Sequence, residues 1–157
     1  MQSVASNLET AHGPLANSAQ EGRKPICIEP DVAQPGVMIC RLEVSLYYGN
    51  AESFMNEMLS SVATASLGVR WFILQFNPTE DIDCIAAKML MELADRMGRE
   101  PVAIVFAELS ADLRVFLSDS GVLEVVRTDR IFASVDAALA ACKPCNLTHC
   151  QRWRKMS

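Results

Sequence analysis

Between Gly36 and Asn50 a β-branched and aromatic run, GVMICRLEVSLYYGN, passes directly into a helical pattern in which apolar residues recur at a spacing near 3.6. A pleated run must bury at least one face and a helix must bury its apolar stripe, so this stretch commits the chain to helices layered on a sheet. We expect a strand over residues 36–42, a short second strand over 46–48 forming an antiparallel hairpin with it, and Asn50 as the N-cap of the first helix. That helix sets Phe54, Met55, Met58, Leu59 and Val62 on one face and Glu52, Asn56, Glu57, Ser60 and Ser61 on the other, with Gly68 beyond it as a stop.

The alternation then continues. Residues 69–76 form a mostly apolar run suited to a central strand covered on both faces. A second helix follows the loop 77–82, with Ile85, Ala86, Met89, Leu90, Leu93 and Met97 read as inward and Lys88, Glu92, Asp95, Arg96 and Arg99 as outward. Gly98 and Pro101 mark its end. Residues 101–107 are the next strand. Ser110 caps a third helix with Leu113, Phe116 and Leu117 inward, closed by Gly121. Residues 131–133 are a last short strand, and Ser134 caps a terminal helix to about Ala141. Strands alternating with helices pair in parallel through right-handed crossovers. The expected class is α/β, with a mixed, mostly parallel sheet of about five strands.

Three motifs stand in order along this pattern. They are Leu46-Tyr47-Tyr48-Gly49-Asn50-Ala51, then Asp81-Ile82-Asp83 followed by Cys84-Ile85-Ala86-Ala87, then Ser120-Gly121-Val122-Leu123 with Arg130-Ile131-Phe132 and Val135-Asp136-Ala137-Ala138. Together they resemble the STAS domain, from about Pro35 to Cys142. The first looks like the "L-Y-F-x-N-A" signature of the sulfate permease branch. The resemblance implies a STAS fold and a cytosolic, non-catalytic regulatory module, the C-terminal domain of sulfate permease (SulP) type anion transporters. Its partners would be a permease-type membrane domain or a cytosolic regulatory protein. The alternative it implies is a stand-alone anti-sigma-factor antagonist.

In antagonists of this family the loop entering the second helix reads Asp-Ser-Ser-Gly, and its second serine is phosphorylated. A phosphate there adds about −1.5 to −2 charges beside a helix N-terminus and a docking surface. Here the matching residues are Asp83, Cys84, Ile85 and Ala86, so the acceptor hydroxyl is lost at position 85. We therefore expect Ile85 to pack inward beside Met89, and Asp81 and Asp83 to serve as helix N-terminal acids. Lys88, Met91 and Glu92 are candidates for partner contact, Met91 because it interrupts the polar side of the helix as an exposed residue. Tyr47 and Tyr48 are expected to divide between the core and the sheet face.

Composition excludes other classes. A chain of 157 residues is about one domain's worth. We divide it into an N-terminal arm and extended lead-in (1–34), the STAS-like region (35–142) and a cysteine-containing basic tail (143–157). A net charge of −5 argues against a broad nucleic-acid-binding face. No apolar run approaches the roughly 20 residues needed to span a bilayer, and the N-terminus lacks the charged start and apolar core of a secretory signal. A cytoplasmic monomer or weak homodimer is the expectation.

The two histidines, His12 and His149, sit in the arm and the tail, which leaves Asp81 and Asp83 without a cleft base for acid–base catalysis. Six cysteines without a secretory signal read as free thiols, with Cys40 and Cys84 buried. Cys142 and Cys145 have a zinc-like gap, but His149 and Cys150 are adjacent and would strain a shared tetrahedral ion. We expect no metal or cofactor, and tail cysteines (Cys142, Cys145, Cys150) that folding does not need. The basic cluster Arg152, Arg154 and Lys155 beside Trp153 reads as a solvated tail.

Overall fold

The structure is a computed structural model that describes residues 26–28, 34–65, 68–77 and 81–142. The arm and the tail, with His12, Cys145, His149 and Cys150, lie outside the described residues.

Five strands form one sheet in the order β1-β2-β3-β4-β5: β1 Ile26–Ile28, β2 Val37–Arg41, β3 Trp71–Gln75, β4 Ala103–Ala107 and β5 Ile131–Phe132. β1 is antiparallel to β2, and all later pairs are parallel. Between them run α1 Ala51–Thr64, α2 Cys84–Arg99, α3 Ala111–Asp119 and α4 Val122–Val126, with α5 Val135–Ala141 after the last strand. Because strands follow one another in sequence order, right-handed crossovers put α1 to α4 on a single face. The main core forms there, from Met38, Cys40, Phe72, Leu74, Ile104 and Phe106 of the strands against Met58, Leu90, Leu93 and Met97 of the helices. Phe76 and Phe106 meet edge to face at 5.0 Å. The opposite face packs Val37, Ile73, Val105 and Ala107 against Ala138 and Cys142.

The expected central strand is β3, flanked in parallel on both sides. The expected hairpin is different. The antiparallel partner of β2 is β1, in the stretch read as lead-in, whereas residues 46–48 form no strand and Leu46 makes a single bridge to Ile82. The reason is that β1 holds the open edge of β2, while the chain after Leu42 runs on beside the loop before α2, where Leu46 exchanges backbone bonds with Asp81 O and Asp83 N–H. Three-residue β1 sits at the sheet edge. Gly36, at φ 88, makes the turn into β2 while its carbonyl accepts from Arg70 and Trp71 N–H.

Caps decide the helix starts. Ser110 and Ser134 accept from Leu113 and Ala137 N–H as expected. Gly121, at φ 79, closes α3 and opens α4, a five-residue helix that periodicity could not resolve from its neighbours.

Candidate functional site

The loop before α1 and the loop before α2 are joined into one platform by backbone and short polar side chains. Leu46 N–H donates to Asp81 O at 2.9 Å and Asp83 N–H donates to Leu46 O at 3.1 Å. Asp81 N–H donates to Ser45 Oγ at 3.0 Å. Asn50 begins α1, yet its side chain does not cap it. Oδ1 instead accepts from Tyr47 N–H and Nδ2 donates to Ser45 O, both at 2.9 Å, so Asn50 braces the preceding turn. A Cβ at Gly49 would lie 2.7 Å from the Tyr47 ring, so any larger residue in this turn would push that ring aside.

Asp83 links the two loops. Its Oδ1 accepts from Ala86 N–H at 2.7 Å, which is the N-cap of α2, and its Oδ2 accepts from Tyr48 N–H at 2.9 Å. One carboxylate therefore fixes both the helix start and the turn that presents Tyr48. A negative group at this end of a sixteen-residue helix is also favoured by the helix dipole. Asp81 lies exposed beside it and contributes through its backbone.

Ile85 is not inward. It is 45% exposed, and the wheel explains why. At about 100° per residue, Ala86, Ala87, Leu93, Ala94 and Met97 cluster within about 60° of Leu90, whereas Ile85 falls about 140° away. Met89 and Met91 lie at about 100° on either flank. Both are half-buried against the core, so Met91 is a packing residue and not the exposed interruption expected of it. Lys88 is exposed, and Glu92 pairs with Arg96 along the outer side. Cys84, at the first position of α2, is exposed, unlike buried Cys40.

The tyrosines do not divide between core and sheet. Tyr48 is 76% exposed, Tyr47 is half-buried, and their rings meet edge to face at 6.0 Å. Tyr48, whose N–H bonds Asp83, and Cys84 and Ile85, which follow Asp83 in sequence, are thus each exposed.

A second polar network escaped sequence reading. At the carboxyl ends of the strands Arg41 Nε donates to Gln75 Oε1 at 3.2 Å, and Gln75 Nε2 donates to Glu108 Oε2 at 2.7 Å. Glu108, at φ 64, accepts through its other oxygen from Val135 N–H at 3.4 Å and so ties the start of α5 to the sheet. No signal marked it, because its members stand 34 and 33 residues apart.

Cys142 also corrects an expectation. It is 2% exposed, packed on the α5 side of the sheet, and burial pushes its thiol up to about 11 against a weaker opposing pull from Arg130. Arg130 is half-buried, and burial followed by repulsion from Arg127 lowers its pKa. Folding uses Cys142 as a core residue.

The family model described as the STAS domain matches residues 31–138. A probable sulfate transporter of Mycobacterium tuberculosis is 28% identical over 107 residues, which is 68% of this chain and 19% of that protein. The chain thus spans about a fifth of the length of that relative. Among solved structures, the SulP transporter STAS domain of Vibrio cholerae superposes with a TM-score of 0.56 at 17% identity, covering 85% of this chain and 93% of that one. RsbS of Moorella thermoacetica superposes at 0.59 with 10% identity, covering 83% and 99%. These likenesses show the fold. No helix among the described residues is long and apolar enough to cross a membrane. With the match spanning most of the chain and the sheet order that carries it, this chain belongs to the STAS domain family and is related to sulfate transporters.

Proposed function

We propose that this STAS domain is a non-catalytic regulatory and interaction module of the sulfate permease type. It docks on the cytosolic side of an anion transporter's membrane domain or on a cytosolic regulator of such a transporter. The observation that carries this reading is the surface around Asp83, where Tyr48 and Ile85 are exposed on a hydrogen-bonded platform. A phosphorylation switch would need a hydroxyl at position 85; an isoleucine there supplies a standing apolar contact instead. Lys88 and Glu92 extend the contact along the outer side of α2. The kinship with sulfate transporters supports the class of partner, and the anion handled belongs to that partner.

The alternative, a stand-alone anti-sigma-factor antagonist, draws on the likeness to RsbS. Residues 83–86 argue against it, since none offers a serine or threonine. The test uses the full chain and a sulfate permease-type transporter lacking its own STAS domain, with binding read by interferometry. Exchanging both Tyr48→Ala and Ile85→Asp should weaken association at least about tenfold, as loss of central apolar anchors does. Unchanged binding would remove this surface from the interface. Binding of the full chain to an anti-sigma factor and not to the transporter would restore the antagonist reading.

A further inference from the structure

Two cysteines stand opposite each other at the antiparallel end of the sheet. In the β1–β2 register Cys27 is the Cα partner of Cys40, with Ile26 opposite Arg41 and Ile28 opposite Ile39 on either side. The hydrogen bonds on the far side of β2 fix which kind of pair this is. Gly36 O accepts from Trp71 N–H and Leu42 N–H donates to Gln75 O, so these residues, and with them Met38 and Cys40, turn their backbone groups toward β3. Backbone direction alternates along a strand, which leaves Ile39 and Arg41 to bond β1. Cys27 and Cys40 are therefore a non-hydrogen-bonded pair. In such a pair the Cα atoms stand about 4.5 Å apart, within the about 4.4–6.8 Å that a disulfide spans, and opposed residues project from one face.

We propose that Cys27 and Cys40 are a reversible redox site: a low-molecular-weight disulfide links their sulfurs, clamping β1 to the sheet, and a small thiol reopens the bond. The thiolate of one cysteine attacks a sulfur of the small disulfide, releasing a first small thiol and leaving a mixed disulfide. The thiolate of the other then attacks the protein-side sulfur and releases the second. Two protein thiols thus lose two electrons to the small disulfide, and their two protons pass through water to the two thiols released. Cys40 is fully buried and inert while covered, so exchange proceeds when β1 peels away. β1 pairs through three residues at the sheet edge, so its opening is a local event. Neither of the other cysteines among the described residues competes: Cys84 opens α2, and Cys142 packs on the opposite face of the sheet from Cys40.

The test treats the full chain with oxidised glutathione, quenches it in acid and cleaves it before aspartates, which puts Cys27 in fragment 1–30 and Cys40 in fragment 31–80. Mass spectrometry without reduction should find these two fragments joined. Hydrogen exchange is the second readout. A bridge closing about fourteen residues should raise protection of the Ile28 amide at least about tenfold, and dithiothreitol should return it to the starting value. Cys27→Ser should show no such rise under the same treatment. Fragments that stay separate, or glutathione carried on either cysteine with no bond between them, overturn the proposal. Joined fragments with unchanged Ile28 protection overturn it as well, because the bond would then not clamp β1.

Discussion

Replacing Asp83 should loosen two loops at once, and the size of the effect can be worked from its two hydrogen bonds. As N-cap of α2 its Oδ1 accepts from Ala86 N–H, a contact whose loss to alanine costs about 1 kcal/mol. Its Oδ2 accepts from Tyr48 N–H at an exposed site, adding about 0.5–1 kcal/mol for a charge-assisted bond shared with water. Asp83→Ala should therefore destabilise by about 1.5–2 kcal/mol in urea unfolding. Asp83→Asn keeps one acceptor oxygen for the cap and places an NH₂ toward Tyr48 N–H, so it should cost about half as much. Asp81→Ala removes an exposed carboxylate and should cost under about 0.5 kcal/mol. Amide exchange adds a local readout: the Tyr48 N–H should lose protection in both Asp83 variants while β3 amides keep theirs. Equal costs for Asp81→Ala and Asp83→Ala would refute the reasoning, because they would make the effect one of general charge and not of these two bonds.

Two further outcomes are expected. Ile85→Ser should change stability by less than about 0.5 kcal/mol, whereas Leu90→Ala, five residues along the same helix but fully inside, should cost about 2–5 kcal/mol; denaturant titration of both variants checks the assigned helix face. For Cys142 the folded thiol titrates near 11 against an ordinary 9.0, so folded and unfolded states hold the proton alike below pH 9. Stability is fully present there and falls as pH rises toward 11, by on the order of 2 kcal/mol, because the unfolded chain ionises first. Cys142→Ala should remove that part of the alkaline loss, and identical pH profiles for the two chains would contradict the burial of the thiol.

Much of the fold was legible because its signals are local. The apolar runs at 69–76 and 101–107, the serine caps at 110 and 134 and the turn at Gly121 each act within a few residues, and each produced the expected element. The hairpin was misread because strand pairing is not local. The β-like character of Leu46 and Tyr48 is real, but the groups able to satisfy their backbone were those of Asp81 and Asp83, 35 residues away, and the weak three-residue β1 took the place beside β2.

The site shows the same division in sharper form. Asp83 was legible as a helix-start acid, since capping chemistry lies within its own turn. Its bond to Tyr48 was not, because that partner is 35 residues distant. Ile85 failed for another reason: hydrophobicity was taken as a sign of burial, and its pairing with Met89 as a sign of the inner face. Positions 85 and 89 do share a side, but with Leu90 as the centre that side is the flank. Ile85 lies further out than the half-buried Met89, so its replacement costs the fold little. The same holds for Tyr48, whose backbone is held firmly while its ring faces solvent. The core holds neither side chain, which makes them the two positions where substitution separates folding from any role at the surface.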